Sequence, residues 1–506
     1  MTPNSVLKVI NNLFTNKRLG YFLLGVGLYI IIRFPVWFYP VDSDHWIFQA
    51  IGQHWINGKG LLYIDFWDHK PPMIFLINGI ISLFTGSDLF LFRVVLTVLN
   101  IVEIYLFYIL LRKLKRFGEY PLFLTAIYAL VRNFSQIASS GNNTENFGVI
   151  LILISYIQFV SFLEQSKARF LLLIGICFGL IFWLKANMIL LFLPMLGLII
   201  WRLFVIYKAS KSPGKSLKLF IILFAPLILI SLVIIGYFGS FGYLQALWIG
   251  SFGYSAKYVQ VSFRGALSDT KVFLAILSPL LAILIMPIFG WYQKIKAKQL
   301  TSLEIFIVGS SLISMVYLGI SGTYYPYYLL ICLPILLIWV AIGHLNLSGV
   351  LKKLSTAVIC LGLLISFGIS YKQPLNYFTG SVSRQQAEYY KIADYIKSKT
   401  NKDDLIFTYI YGASLYGLSE RLPATKYMSA SFMLLDYREK LGFGINTTVL
   451  SDLKRTQPKL IVMYKDKNPK TSLYATNYPI QEFLLSDYNT IAKEFETLEI
   501  RTRTVR

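Results

Sequence analysis

The sequence predicts an α-helical polytopic membrane protein with about eleven transmembrane helices and a small C-terminal α/β domain on the outer face. Three observations predict it. Of 506 residues, 56% are hydrophobic and only 14% charged, against roughly 25% charged in a soluble domain. Long apolar runs are separated by short charged stretches. Beyond about residue 372 the composition changes: the last 135 residues carry 20 basic and 14 acidic residues and no run long enough to cross a bilayer. Together these exclude a disordered chain, a fibrous protein and a soluble globular enzyme.

Apolar runs place spans at 19–39, 88–111, 120–137, 147–163, 170–187, 189–207, 219–238, 272–292, 305–320, 325–342 and 354–371. Each is near the roughly 20 residues that a helix needs to cross the hydrocarbon core. The stretch 170–207 divides into two spans turning near Lys185-Ala186-Asn187. Residues 1–18 lack a signal-peptide pattern and read as a cytoplasmic leader to a retained first span. Residues 1–371 thus form a transmembrane domain whose first outer loop is 40–87, and residues 372–506 a soluble extracytoplasmic domain.

With eleven spans the two ends lie on opposite sides. Loops on the N-terminal side carry 19 Lys and Arg residues; the other side carries only six, Lys59, Lys70, Arg132, Lys257, Arg264 and Lys271. Cytoplasmic loops are enriched in Lys and Arg, so the N-terminus is expected in the cytoplasm and the C-terminus outside. The net charge of +23 is then largely topological, and nucleic acid is not an expected partner. Cys177, Cys332 and Cys360 lie inside apolar runs and offer no disulfide framework. Of the charges within spans, Arg33 and Arg93 are expected to snorkel outward, whereas the deeper Glu103 should pair inside the bundle.

The C-terminal region alternates in pattern. Helices are expected at Gln385–Lys399, Val449–Arg455 and Ile480–Ser486, and strands at Leu405–Ile410, Leu460–Tyr464 and one final segment.

Chemistry concentrates in the first outer loop. Asp42, Asp44, Asp65 and Asp68 lie there with His45, His54 and His69 and with Trp46, Trp55 and Trp67. Carboxylates contribute little to topology, so orientation does not account for them. Pro71-Pro72 cannot continue a helix but suits the first turn of one. The apolar segment Met73–Phe84 that follows is too short to span and is expected to lie at the interface. Lys70 would stand near its N-terminus, where dipole and ammonium together favour a phosphate. The acids and histidines of the loop could alternatively hold a divalent cation, although they lack a dedicated ligand spacing; a resident cofactor is not expected.

The run Tyr63-Ile64-Asp65-Phe66-Trp67-Asp68-His69-Lys70-Pro71-Pro72, after an acid that follows the first span, resembles the C-type (GT-C) membrane glycosyltransferases. The protein O-mannosyltransferase and aminoarabinose-transferase-like branch is the nearest. Gly141-Asn142-Asn143-Thr144-Glu145, Lys185, Tyr325-Pro326-Tyr327-Tyr328 and Tyr416–Pro423 extend the likeness along the chain. Two positions depart from it: many members have Asp-Glu where this chain has Asp44-His45, and His where it has Tyr327.

The resemblance implies inverting transfer of a hexose or pentose from a polyprenyl-phosphate donor to an acceptor hydroxyl outside the membrane. It places the chain in a membrane, in bacteria the plasma (inner) membrane, and implies work without a catalytic metal. Asp44 is then the expected general base, with Asp42 as the fallback. Lys70, Arg264, Tyr328 and Lys185 are expected at the donor phosphate, and Asp65, Asp68, His69 and Glu145 at the substrates. Glu145 could equally brace Lys185. The acceptor could be protein, lipid or glycan.

The rival class is a lipid-linked-sugar flippase or transporter, which would carry ionisable groups near the midplane and paired broken helices. Here ionisable groups gather at one face and the halves show no repeat. A ligase moving a whole glycan would instead need a large late outer loop.

Overall fold

The computed structural model describes Gly27, Tyr29, Ile30, Arg33 and residues 43–503, apart from 119, 139–140, 211–212, 258–277, 286, 298–299, 321–324, 379–382, 410–412, 429–441 and 466–477. Most of the first expected span, together with Asp42 and Arg264, lies outside the described residues.

The segment expected as the first outer loop folds into α1 (Ser43–Ile56) and, beyond an irregular turn, α2 (Pro72–Thr85). Helix α2 starts where the two prolines require, with Pro71 at its N-cap and Pro72 in its first turn. Its face carrying Ile80, Leu83 and Phe84 is exposed, as a helix lying against lipid needs. The two helices cross backbone to backbone: a Cβ on Gly79 would lie 2.6 Å from the Gly52 carbonyl oxygen. Only glycine on both sides permits that approach, and it fixes Asp44 on α1 relative to Lys70 just before α2.

The bundle follows as α3 (Leu89–Leu114), α4 (Pro121–Arg132), α5 (Thr144–Gln165), α6 (Ala168–Leu184), α7 (Leu193–Ser210), α8 (Pro213–Ser240), α9 (Pro287–Lys296), α10 (Ser302–Ile320), α11 (Leu329–Leu345) and α12 (Gly349–Phe378). Among the described residues, eight helices are long and apolar enough to cross a membrane. Two expected spans are shorter than the sequence suggested. That at 120–137 ends at Arg132, because Arg132 turns inward to a buried partner and Asn133 closes the turn; its 12 residues reach only about 18 Å. That at 170–187 is the 17-residue α6.

The break near Lys185 is present. Lys185 is extended (φ −165°, ψ 103°), and a 3₁₀ turn, Ala186–Phe192, leads into α7.

Glu103 pairs inside the bundle as expected, and its partner is Arg132, which the loop count had assigned to the outer surface. Arg33 does not snorkel; it is 4% exposed.

The C-terminal region contains α13 (Ser383–Lys399), β1 (Ile406–Tyr409), α14 (Ser414–Ser419), α15 (Ile445–Thr456), β2 (Leu460–Tyr464), α16 (Tyr478–Asp487), β3 (Thr490–Glu494) and β4 (Leu498–Thr502). The sheet order is β1-β2-β4-β3, with β1 and β2 parallel and the other pairs antiparallel. The single final strand expected from the sequence is a hairpin. Its outer strand β3 is mostly exposed and so lacks the apolar alternation that marks a strand.

One apolar core fills the bundle, built on residues such as Tyr128, Phe159 and Ile335. A second joins the first outer loop to the C-terminal sheet, from Trp67 through Tyr427 to Ile461.

Candidate functional site

The turn between α1 and α2 is held by its own polar groups. Asp65 accepts from the Leu61 amide at 2.7 Å and returns its own amide to the Leu61 carbonyl at 2.9 Å. Its carboxylate therefore shapes the loop. Tyr63 sits in the left-handed region (φ 69°). Its hydroxyl donates to the Lys70 carbonyl at 2.6 Å and lies 3.2 Å from Ser251 Oγ. Burial holds this hydroxyl protonated, well above the ordinary tyrosine range. The strained turn thus pins the backbone of Lys70.

Lys70 Nζ stands 3.7 Å from Asp68 Oδ1, 3.1 Å from His69 Nε2 and 5.6 Å from the centre of the Phe48 ring. The His69 ring packs 5.3 Å from Tyr254, and the Ser255 hydroxyl donates to the His69 carbonyl at 3.3 Å. Phe48 is one helical turn beyond Asp44 on the same face of α1. Asp44, in the first turn of α1, is half-buried.

The tyrosine turn Pro326–Tyr328 leads into α11. Tyr327 is close enough to Asp44 to feel its charge, and its ring meets Tyr328 edge-on at 5.0 Å. Lys185 Nζ caps the Tyr328 ring at 3.8 Å and bonds Glu145 Oε1 at 2.5 Å. Thr144 donates to Glu145 Oε2 at 2.8 Å, and the Tyr317 hydroxyl reaches Oε1 at 3.4 Å. The break after α6 is what aims Lys185 at this point. Of the two roles open to Glu145 in the sequence, the geometry shows the brace.

Sequence reasoning missed a supporting network. Asn142 Nδ2 lies 3.2 Å from His45 Nδ1 and donates to Asn78 Oδ1 at 2.7 Å. His45 is fully buried, with its ring 4.7 Å from Phe92. Burial, with Arg93 nearby, pushes its pKa down to about 3, so it is a neutral structural group beside Asp44. Nothing in an apolar helix marked Asn78 as its anchor. Among the described residues no three His, Cys, Asp or Glu side chains gather as a metal would require.

A cleft of about 410 Å³ opens next to this site, with Tyr63, Trp67, Gln245, Tyr254, Lys426 and Tyr427 among its walls. Trp67 packs edge-on against Tyr254 and Tyr427 at 5.1 and 5.3 Å, and its amide donates to the Lys426 carbonyl at 2.8 Å. A Cβ on Gly417 would overlap the Trp46 ring. The C-terminal region is therefore part of the site's wall.

Comparison with known proteins follows this geometry. The profile of the dolichyl-phosphate-mannose-protein mannosyltransferase family matches residues 69–235. The structure of ArnT from Cupriavidus metallidurans bound to undecaprenyl phosphate aligns with a TM-score of 0.54 at 13% identity, covering 95% of this chain and 98% of that one. The same protein in its apo state gives 0.54 at 12% identity, covering 94% and 97%. No curated protein sequence matches the chain.

Proposed function

From the C-type membrane glycosyltransferase fold that the chain displays, we propose that it transfers a sugar from a polyprenyl-phosphate donor to an acceptor hydroxyl at the outer membrane face. What supports this reading is the setting of Asp44: Lys70 stands over Phe48, one turn along α1 from Asp44, and Tyr327, beside the Tyr328 ring that Lys185 caps, is within reach of the Asp44 charge.

In this reading the acceptor hydroxyl attacks the anomeric carbon opposite the lipid phosphate. The new C–O bond forms as the bond to the phosphate oxygen breaks, with inversion. Asp44 takes the hydroxyl proton as charge develops. Charge grows on the departing phosphate, and cations held in place stabilise it without reorganising. Lys70 is such a cation in this reading, and Asp68 and His69 hold it in place. Tyr328 can donate a hydrogen bond to the same phosphate. The Lys185–Glu145 pair is nearly neutral overall and suits the sugar hydroxyls. The cleft beside Trp67 and Tyr254 is the acceptor's approach. Asp42 and Arg264 keep their expected roles, as alternative base and second phosphate cation. The N-terminus is cytoplasmic, and the soluble domain from residue 372 onward lies outside.

The test is purified protein incubated with a panel of labelled polyprenyl-phosphate sugars, with released polyprenyl phosphate as the readout. Asp44→Asn should lower turnover by roughly 10²–10⁴, the range for losing a general base, while donor still binds. Near-normal release by both Asp44→Asn and Asp42→Asn would end the mechanism.

A further inference from the structure

Behind the site, α3, α4 and α5 bury polar side chains whose charges, among the described residues, do not balance. Glu103 is fully buried and accepts from Arg132 Nε at 2.8 Å, with Nη2 of the same guanidinium 2.8 Å away as an ion pair and the Tyr128 hydroxyl donating to its other oxygen. Arg132 Nη2 donates its hydrogens to Asn100 Oδ1 and, at 2.7 Å, to Asn146 Oδ1. One carboxylate thus answers one guanidinium. A second guanidinium, Arg33, is 4% exposed and close enough to Glu103 and Arg132 to feel both charges. The charge of Arg93 reaches it too.

The atoms of this cluster that lack partners are mostly donors. Arg33 Nε and Nη1, Arg132 Nη1, Asn100 Nδ2 and Asn146 Nδ2 are buried without an acceptor; the Tyr29 hydroxyl, able to donate or accept, is buried beside them without a partner. The amide nitrogens cannot be exchanged for their oxygens, because only the oxygens can accept from Arg132. Neutral water could take these hydrogen bonds but would leave a buried guanidinium charge uncompensated, which is costly.

We propose that this cluster holds one dehydrated monovalent anion of halide size among Arg33, Arg132, Asn100 and Asn146. Among the described residues that are fully buried here, Arg33 and Arg132 exceed Glu103 by one charge, which sets the valence, whereas Arg93 is only half-buried; the burial of all four side chains excludes a bulky ligand. The anion would also steady the back of the site. A Cβ on Gly141 would lie 2.8 Å from Arg33 Nη2, and the next residue, Asn142, holds His45. This inference does not depend on the proposed transfer reaction.

The test uses the purified full-length protein in detergent, with sodium gluconate exchanged for sodium chloride or bromide at constant ionic strength. The thermal unfolding midpoint, read from tryptophan fluorescence, should rise saturably by a few degrees, as expected for a ligand that binds only the folded state. Arg33→Met should lose the response. Asn100→Asp supplies the negative charge from within, so its midpoint in gluconate should rise and its chloride response should vanish. If Arg33→Met does not fold, Asn100→Asp still decides. No response in the wild type, or an equal and non-saturating response in wild type and Asn100→Asp, would overturn the anion site.

Discussion

Lys70 and Lys185 each stand beside a carboxylate of their own, Asp68 and Glu145, yet they are held differently. Lys70 has 17% of its side chain exposed and lies 3.7 Å from Asp68, a loose pairing that leaves its charge available. Lys185 is bonded to Glu145 at 2.5 Å, and the carboxylate is 1% exposed. Two lysines in one site can thus do different work: the loosely paired one can meet an incoming anion, and the tightly paired one is already neutralised and acts as a fixed polar strut.

The sharpest way to break this comparison is Lys185→Met. Leaving Glu145 buried without its partner should cost about 3–5 kcal/mol of stability, seen as a lower thermal midpoint. Adding Glu145→Gln should recover part of that loss. A single variant as stable as wild type would remove the strut role. Lys70→Ala should do the converse: donor affinity and single-turnover rate should both fall about tenfold to a hundredfold, as for losing a charged hydrogen bond, with little change in midpoint. Lys70→Arg should rescue only in part, since a planar fork replaces a compact point charge. Unchanged donor binding by Lys70→Ala would return Lys70 to a surface role.

A smaller effect is expected at Gly417→Ala, where the new methyl group meets Trp46. Overpacking of this kind costs about 1–3 kcal/mol, and turnover should fall with donor binding retained. Equal activity would show that the C-terminal region is a bystander to the loop. The smallest effect concerns pH. Burial, aided by Lys59, holds the His54 pKa down at about 4, so the folded state favours the neutral ring. Stability is then fully present above the unfolded value of about 6.5 and is lost as pH falls from there toward 4. His54→Phe should flatten that acid slope in a series of thermal melts; an unchanged slope would assign it to other groups.

How legible the molecule is in its sequence depends on the distance over which a signal acts. Local rules served well. Two prolines without amide donors can only begin a helix, and α2 begins there. The extended backbone at Lys185 falls where the long apolar run was divided, and Leu460–Tyr464 is a strand with the expected bounds. Pairing across the chain was harder to read. Arg132 at a helix end looked like a loop charge, because Glu103 is a full helix away. Lys185 and Glu145 were both singled out, but only folding shows that they face each other. Strand β3 stayed hidden because its exposed faces carry no alternation. Asp44 and Lys70 could be chosen as candidates from sequence, yet their relative placement is set by the crossing of α1 and α2 at two glycines.

The seating of Trp46 on Gly417 and the bond from Trp67 to Lys426 also bear on biogenesis. The chain emerges from its N-terminus, so the loop carrying Trp46 and Trp67 is made long before Gly417 and Lys426, on which it packs. These contacts have very large sequence separation, and closing such loops is slow. Aromatic side chains of the early loop must wait, uncovered, until the C-terminal region arrives on the same side. A nascent chain that has not yet reached residues 417–426 therefore has an unfinished loop, exposed to proteases and chaperones, and a region made much later than the loop is the one that completes it.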